Sequence, residues 1–306
     1  MGMARPTVVI LLVAASACGS GSGASEGAGV DVVASFYPLA FVAEEVGGGL
    51  VDVVNLTPPG AEPHDLELTT GQVRDLAEAD LVVFLGRGFQ PSVEDAIGEL
   101  GDEVVIADVL GSQEELLEAA PHEGEEEEDE EHSDEGEFDP HVWLDPERTA
   151  GIANLVGTRL ADLDPDNAST YRANVADLEA RLTELDGAFR AGLARCERRN
   201  LVTSHEAFGY LARAYDLEEI GIASIDPETE PSLGRLVEVA EFVRDEGVTT
   251  IFFEVLVSPD VAETLAEETG VTTARLDPLE GPPQRGDYFT AMQANLNALR
   301  EGLGCR

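Results

Sequence analysis

The chain has 306 residues, 43% of them hydrophobic and 26% charged, so it is long enough to bury a core in one or two domains. The net charge is −44, and all 18 basic residues are arginine. Such a field repels nucleic acid and anionic lipid and attracts cations, so we expect no nucleic-acid partner. Over most of the chain, solubility in a salty environment or a base-composition bias explains the acidity without a specific function.

The first 18 residues are typical of an export signal. Arg5 precedes an apolar run at residues 8–15, which is too short to span a bilayer, and small residues follow up to Cys18. The residues before Cys18 resemble a bacterial lipobox, which predicts a lipidated Cys18 and a membrane anchor. The alternative is cleavage after Ala17 and a freely secreted protein. Residues 19–29 are almost all Gly, Ser and Ala, as expected of a flexible tether.

Residues 30–163 predict a first α/β lobe, in which short β-rich runs alternate with helical stretches. Strands are predicted at residues 31–35, 51–56, 81–85 and 104–107, and helices at 38–46, 70–79 and 147–163. The run at 81–85 is apolar throughout, which is typical of a strand buried on both faces. The alternation favours a parallel sheet with crossover helices.

An acidic segment, residues 121–138, interrupts this lobe and contains His122 and His132. A dense run of carboxylates raises the local cation concentration, and two imidazoles add weak ligation, so we predict low-affinity cation capture. The alternative is a solvated linker with no role.

A long helix and a second α/β lobe follow. Residues 164–197 predict a linking helix that runs from 168 to 195 and is about 40 Å long. In residues 198–306 strands are predicted at 201–204, 219–222, 248–254 and 271–276, and helices from 206 and at 235–246, 259–269 and 288–303. We therefore expect an α/β fold of two lobes, each with a small, mostly parallel sheet and flanking helices, joined by one long rigid helix.

Two cysteines remain besides Cys18. In an exported protein, Cys196 and Cys305 predict a disulfide that ties the start of the second lobe to the end of the chain. The alternative is two unpaired buried thiols.

Every histidine outside the acidic segment falls where a ligand is expected in this architecture. His64 follows the second predicted strand, His205 follows the strand at 201–204, and His141 lies between the first lobe and the linking helix. Asp277 follows the last strand, and Glu254 ends the strand before it. Ligands of open α/β sheets bind beyond the carboxyl ends of the strands, so these side chains are expected to converge on the cleft between the lobes.

Three imidazoles and one carboxylate make a tetrahedral site suited to Zn²⁺. We therefore predict His64, His141, His205 and Asp277 as the metal ligands. Mn²⁺ prefers more oxygen ligands, so it is the less favoured ion. We predict Glu62 and Glu254 as auxiliary residues close to the ligands, and His122 and His132 as auxiliary residues in the acidic segment.

The most specific motif of the chain is Asp-Pro-His-Val-Trp-Leu-Asp-Pro at residues 139–146. Together with the loops at 62–67, 204–208 and 276–279, it resembles the ZnuA-like solute-binding lipoproteins of bacterial zinc and manganese ABC importers, whose motif is DPHxWLDP. The resemblance covers the chain from about residue 30 to the end. It implies two lobes bridged by a rigid helix, with a metal ion held between them and delivered to a membrane permease.

We therefore expect an extracytoplasmic, lipid-anchored or periplasmic monomer that captures Zn²⁺ for an ABC permease and its ATPase. The alternative is the same role for Mn²⁺ or Fe²⁺. A zinc hydrolase is less favoured: His205-Glu206 begins like HExxH, but the second histidine is absent. A surface adhesin is compatible with lipid anchoring, and nothing in the sequence tests it.

Overall fold

The computed structural model describes residues 1–2, 29–113, 115–118, 138–227, 229–254, 256 and 258–306. The predicted lipidation site Cys18, His122, His132 and nearly all of the signal peptide, tether and acidic segment lie outside these residues. Within them, no helix combines the length and the apolar character needed to cross a membrane.

The first lobe is built on a four-stranded parallel sheet in the order β2-β1-β3-β4. Its strands are β1 (Val30–Ala34), β2 (Val51–Asn55), β3 (Leu81–Phe84) and β4 (Val105–Asp108). Its helices are α1 (Tyr37–Gly47), α2 (Thr70–Glu78), α3 (Pro91–Gly98) and α4 (Pro146–Leu163). β3 is buried at all four positions, as its uniformly apolar sequence predicts. The short helix α3 was not predicted.

The second lobe repeats this arrangement with a parallel sheet in the order β6-β5-β7-β8. Its strands are β5 (Asn200–Thr203), β6 (Glu218–Gly221), β7 (Thr250–Phe253) and β8 (Thr272–Arg275). Its helices are α6 (Gly209–Ala214), α7 (Leu233–Asp245), α8 (Asp260–Thr269) and α9 (Tyr288–Gly302). The predicted α/β fold with two parallel sheets is confirmed.

Local sequence specifies where several helices begin. Thr69 and Gln72 form a reciprocal capping box at the start of α2. Asp145 caps α4 by accepting a hydrogen bond from the backbone N–H of Glu147 at 2.9 Å, with proline as the first helical residue. Asp287 caps α9 in the same way. These starts fix the ends of the loops from which functional side chains project.

The helix α5 (Ala168–Leu193) follows the first sheet and precedes the second. Its 26 residues span about 39 Å. One stripe, which includes Tyr171, Leu178, Leu182 and Phe189, is buried. α5 packs against α1 and α4 of the first lobe and α9 of the second, within one hydrophobic core that contains residues of both lobes. Burial along its length makes α5 a rigid connection.

The disulfide between Cys196 and Cys305 is present and confirms the predicted pairing. It joins the segment after α5 to the end of the chain and closes a loop of 109 residues. The backbone N–H of Arg306 also donates to the carbonyl of Arg195 at 3.0 Å. The C-terminus is therefore fixed to the junction between the linking helix and the second lobe.

Candidate metal centre

Four side chains from distant parts of the chain meet between the two sheets. His64, His141, His205 and Glu280 each offer a ligand atom, and these four atoms lie within 4.8 Å of one another. His64 lies in the loop after β2, His205 directly after β5, and Glu280 in the loop after β8, so three of them lie beyond the carboxyl ends of parallel strands. The cluster takes ligand atoms from both lobes.

His64 closes the cluster on the first-lobe side. Its Nε2 lies 3.4 Å from Oε1 of Glu280. Its ring packs edge-on against Phe89, with 4.5 Å between the ring centroids. The backbone N–H of His64 donates to Oε1 of Glu62 at 3.3 Å. Glu62 therefore helps to set the loop that carries His64.

The Asp-Pro-His-Val-Trp-Leu-Asp-Pro motif combines an oriented ligand with a link between the lobes. Oδ1 of Asp139 lies 2.8 Å from Nδ1 of His141 and accepts from its backbone N–H at 2.9 Å. This leaves Nε2 of His141 directed at Glu280, at 3.3 Å. The indole N–H of Trp143 donates to the carbonyl of Pro278 at 2.7 Å, on the loop that carries Glu280. The motif thus positions members of the cluster from both lobes.

His205 is oriented in the same way by a carboxylate of its own lobe. Its Nδ1 lies 2.5 Å from Oε1 of Glu254, at the end of β7. Ser204 donates to the same oxygen. A carboxylate on one ring nitrogen leaves the other nitrogen free as a ligand, and Nε2 of His205 faces Nε2 of His141 at 3.5 Å. Glu254, which the sequence predicts as an auxiliary residue, therefore lies beside His205.

The structure places Glu280, rather than the predicted Asp277, among the three histidines. The carboxylate of Asp277 accepts from the backbone N–H of Leu279 at 2.9 Å and from Arg275 at 3.0 Å. Leu279 has φ of 59°, an uncommon conformation for a non-glycine residue, and Asp277 stabilises this turn. Asp277 therefore shapes the loop that presents Glu280. The only sequence signal for Glu280 was a second acid three residues further along the same loop.

Burial and charge make the cluster favour a bound cation. Burial opposes protonation of His141, but its contacts with Asp139 and Glu280 outweigh this and raise its pKa to about 10. Burial lowers the pKa of His64. Burial also opposes ionisation of Glu280, but the imidazoles around it hold its pKa below the usual range.

Glu62 lies at the edge of this charged cluster. Burial, and next the charge of Glu280, raise the pKa of Glu62 to about 8. Three buried carboxylate oxygens, the Oε2 atoms of Glu62, Glu254 and Glu280, have no hydrogen-bond partner within the described part of the chain. Buried polar atoms in folded proteins are normally paired. These orphaned oxygens indicate that the cluster is completed by a cation.

The donor set fits zinc. Three imidazole nitrogens and one carboxylate oxygen match the number and type of ligands in tetrahedral Zn²⁺ sites. A site with fewer oxygen donors than nitrogen donors is less suited to Mn²⁺. Catalytic zinc keeps one coordination position open for a reactive water. Four protein ligands fill a tetrahedral site and leave no such position. The geometry therefore favours binding over hydrolysis.

Comparisons with known proteins point in the same direction. The family model described as zinc-uptake complex component A, periplasmic (ZnuA), matches residues 32–302. The zinc-binding protein AdcA of Streptococcus pyogenes serotype M1 is 37% identical over 286 residues, covering 89% of this chain and 55% of AdcA. The high-affinity zinc uptake system protein ZnuA of Bacillus subtilis strain 168 is 34% identical over 305 residues, covering 96% and 94% of the two chains.

A solved structure has the same architecture. The laminin-binding protein Lmb of Streptococcus agalactiae, described as bifunctional with adhesin and metal transporting activity, superimposes with a TM-score of 0.80 at 29% identity. The match covers 90% of this chain and 100% of Lmb. The chain spans about half the length of the AdcA relatives, and nearly the whole of B. subtilis ZnuA. The chain therefore belongs to the ZnuA family, the periplasmic component A of zinc-uptake complexes.

Proposed function

We propose that this protein captures extracytoplasmic Zn²⁺ between its two lobes and delivers it to the permease of an ABC-type importer. The observation that carries the proposal is the convergence of three imidazoles and one carboxylate, from both lobes, within 4.8 Å. In this proposal His64, His141, His205 and Glu280 are the metal ligands. Asp139 and Glu254 orient two of the imidazoles through hydrogen bonds.

The relatives support zinc as the cargo. AdcA of S. pyogenes is named a zinc-binding protein, and ZnuA of B. subtilis a high-affinity zinc uptake protein. An uptake complex requires a membrane permease and an energy source, so an ABC permease and its ATPase are the proposed partners. We propose a monomer anchored to the membrane through a lipidated Cys18, as the export signal and lipobox of the sequence predict.

The test is a competition on metal-stripped protein. Zn²⁺ and Mn²⁺ are offered together, bound metal is quantified after desalting, and thermal stability is recorded for each metal, since a ligand that binds only the folded state raises it. Preferential zinc retention with one ion per chain is expected. Retention of Mn²⁺ over Zn²⁺ would move the proposal to the alternative cargo.

A catalytic role is the less favoured alternative. Glu206 is the acid that follows His205 in the sequence that begins like HExxH, and its carboxylate lies 3.6 Å from the guanidinium group of Arg235. The donor count of the cluster gives no open position. We therefore propose a binding protein, not an enzyme, and hydrolytic turnover by the zinc-loaded protein would contradict this. An additional adhesin role, as described for Lmb, is tested by binding of the purified protein to immobilised laminin.

A further inference from the structure

The ligand cluster has one side that is less enclosed than the others. The side chains of His141, His205 and Glu280 are 1% exposed or less, whereas that of His64 is 12% exposed. A cation that arrives from solvent therefore meets the His64 side first. The residues on that side are therefore the first that can replace water ligands of the ion.

A cavity of about 360 Å³ is lined by Glu62, which accepts a hydrogen bond from the backbone N–H of His64, and by Ser204, which precedes His205. Glu62 is the first-lobe residue of its wall, and the rest of the wall belongs to the second lobe and includes Ser204, Ala223, Leu256 and Glu230. Two of these wall residues are close in sequence to ligands: Glu62 lies two residues before His64, and Ser204 directly precedes His205. The cavity is large enough for a hydrated ion, since one water occupies about 30 Å³ of liquid volume.

Glu62 lies at the boundary between this cavity and the cluster. Its Oε1 accepts from the backbone N–H of His64 at 3.3 Å. Its Oε2 is shielded from solvent and has no hydrogen-bond partner in the described part of the chain. The carboxylate also lies within the electrostatic field of Glu280, His205 and Glu254. It is therefore part of the cavity wall and also close to the ligand set.

An unpaired carboxylate oxygen in such a place costs free energy unless a proton or a cation contacts it. A divalent ion must exchange its waters for protein ligands before the buried imidazoles can bind it. A carboxylate at the boundary supplies an oxygen ligand during this exchange. It lowers the barrier in both directions, because the same contact is available to an ion that leaves.

We propose that the cavity is the access path for the hydrated divalent cation, and that Glu62 is a transfer ligand that holds the ion briefly between the cavity and the four-residue cluster. The proposal rests on the proposed zinc-binding function. It gives Glu62 a role in the rate of capture and release, distinct from that of the four final ligands.

The test is stopped-flow kinetics on metal-stripped wild-type protein and Glu62→Gln. Trp143, the single tryptophan, is buried with its ring 5.1 Å from that of His141, so its fluorescence reports occupancy of the site. Association is started by adding Zn²⁺, and release by adding excess chelator to the loaded protein. Two matched controls remove an exposed carboxylate: Glu67→Gln in the same loop, and Glu230→Gln on the outer wall of the cavity.

Glu62→Gln is expected to slow both association and release by about tenfold, the lower end of the effect of local charge on association rates. The equilibrium affinity, and the visible spectrum of the Co²⁺-loaded protein, should stay close to those of wild type. Both control variants should keep wild-type rates. Ala223→Leu, which narrows the cavity without changing a charge, should also slow both steps and provides a second route to the same conclusion if Glu62→Gln is unstable.

Other outcomes overturn the proposal. Faster release with a changed Co²⁺ spectrum would make Glu62 a final ligand. Slower association with unchanged release, shared by Glu230→Gln, would reduce its role to general charge attraction. Unchanged rates in Glu62→Gln would remove it from the path. If the wild-type protein itself fails to bind Zn²⁺, both the proposed function and the role of Glu62 are wrong. In the other outcomes the wild-type protein binds Zn²⁺, and only the role of Glu62 is contradicted.

Discussion

The contact between Asp139 and His141 gives the sharpest test of how the site is built. One carboxylate oxygen, Oδ1 of Asp139, lies 2.8 Å from the ring Nδ1 of His141 and 2.9 Å from its backbone nitrogen. The substitution Asp139→Asn keeps an oxygen acceptor of the same size in the same place. It removes the negative charge that favours a metal-bound imidazole. The variant therefore isolates the charge of Asp139 from its shape.

The expected loss follows from the contact between Oδ1 of Asp139 and Nδ1 of His141. The hydrogen bond to the backbone N–H is made with or without metal, so it does not contribute to the difference in zinc affinity. Carboxylates that support a histidine ligand typically contribute about 10–100-fold to metal affinity, which corresponds to about 1.5–3 kcal/mol.

The assay is competition for Zn²⁺ against a chromophoric chelator, with Trp143 fluorescence as a second readout. Asp145→Asn is the matched control, because it is the same substitution in the same motif, at a residue that caps α4 and accepts from Glu147. Asparagine caps helices as well as aspartate does, so this variant should bind zinc like wild type. If Asp139→Asn binds zinc within about threefold of wild type, a small fraction of the expected loss, the orienting charge is unimportant and the reasoning is wrong.

Four further predictions follow from the same geometry. Glu280→Ala should weaken zinc binding by more than about a hundredfold and Asp277→Ala by much less, measured by the same chelator competition, because only Glu280 lies among the histidines; equal losses would contradict this. Replacing residues 119–137 by a short Gly-Ser linker should leave the tight site intact, as judged by zinc stoichiometry and affinity, since an antiparallel bridge between Glu118 and Phe138 already holds the ends of the segment together; a lost tight site would show that the segment contributes to it. Lowering the pH from 7 to 6 should weaken zinc binding by about tenfold for each proton that the metal displaces, because the metal must remove the proton from His141. Calorimetry at several pH values measures this, and an affinity that does not change with pH would contradict it. Reducing the disulfide should lower the free energy of unfolding by about 4–5 kcal/mol, the chain-entropy value for a loop of 109 residues, and urea unfolding with and without reductant measures it.

Much of the fold can be predicted from local sequence patterns. The strands of both sheets, the long helix α5 and the disulfide were predicted from apolar runs, helical periodicity and cysteine number, because burial and export impose these patterns directly. α3 was missed because its eight residues are too few for a clear periodicity, and its first turn lacks a side-chain cap. The predicted helix after His205 begins three residues later than expected, at Gly209.

The three histidines of the cluster can be predicted without a structure, since each stands at a strand end or in a specific motif, and parallel topology brings such positions together. The carboxylate that joins them cannot be predicted in this way. Asp277 and Glu280 lie three residues apart in one loop, and no local rule says which of two carboxylates turns inward. The choice is made by the backbone, where Asp277 stabilises the positive φ of Leu279 and Trp143 holds the carbonyl of Pro278. The hydrogen bond between Trp143 and Pro278 joins residues 135 positions apart, so the cluster of three histidines and Glu280 forms only once both lobes have folded against the linking helix.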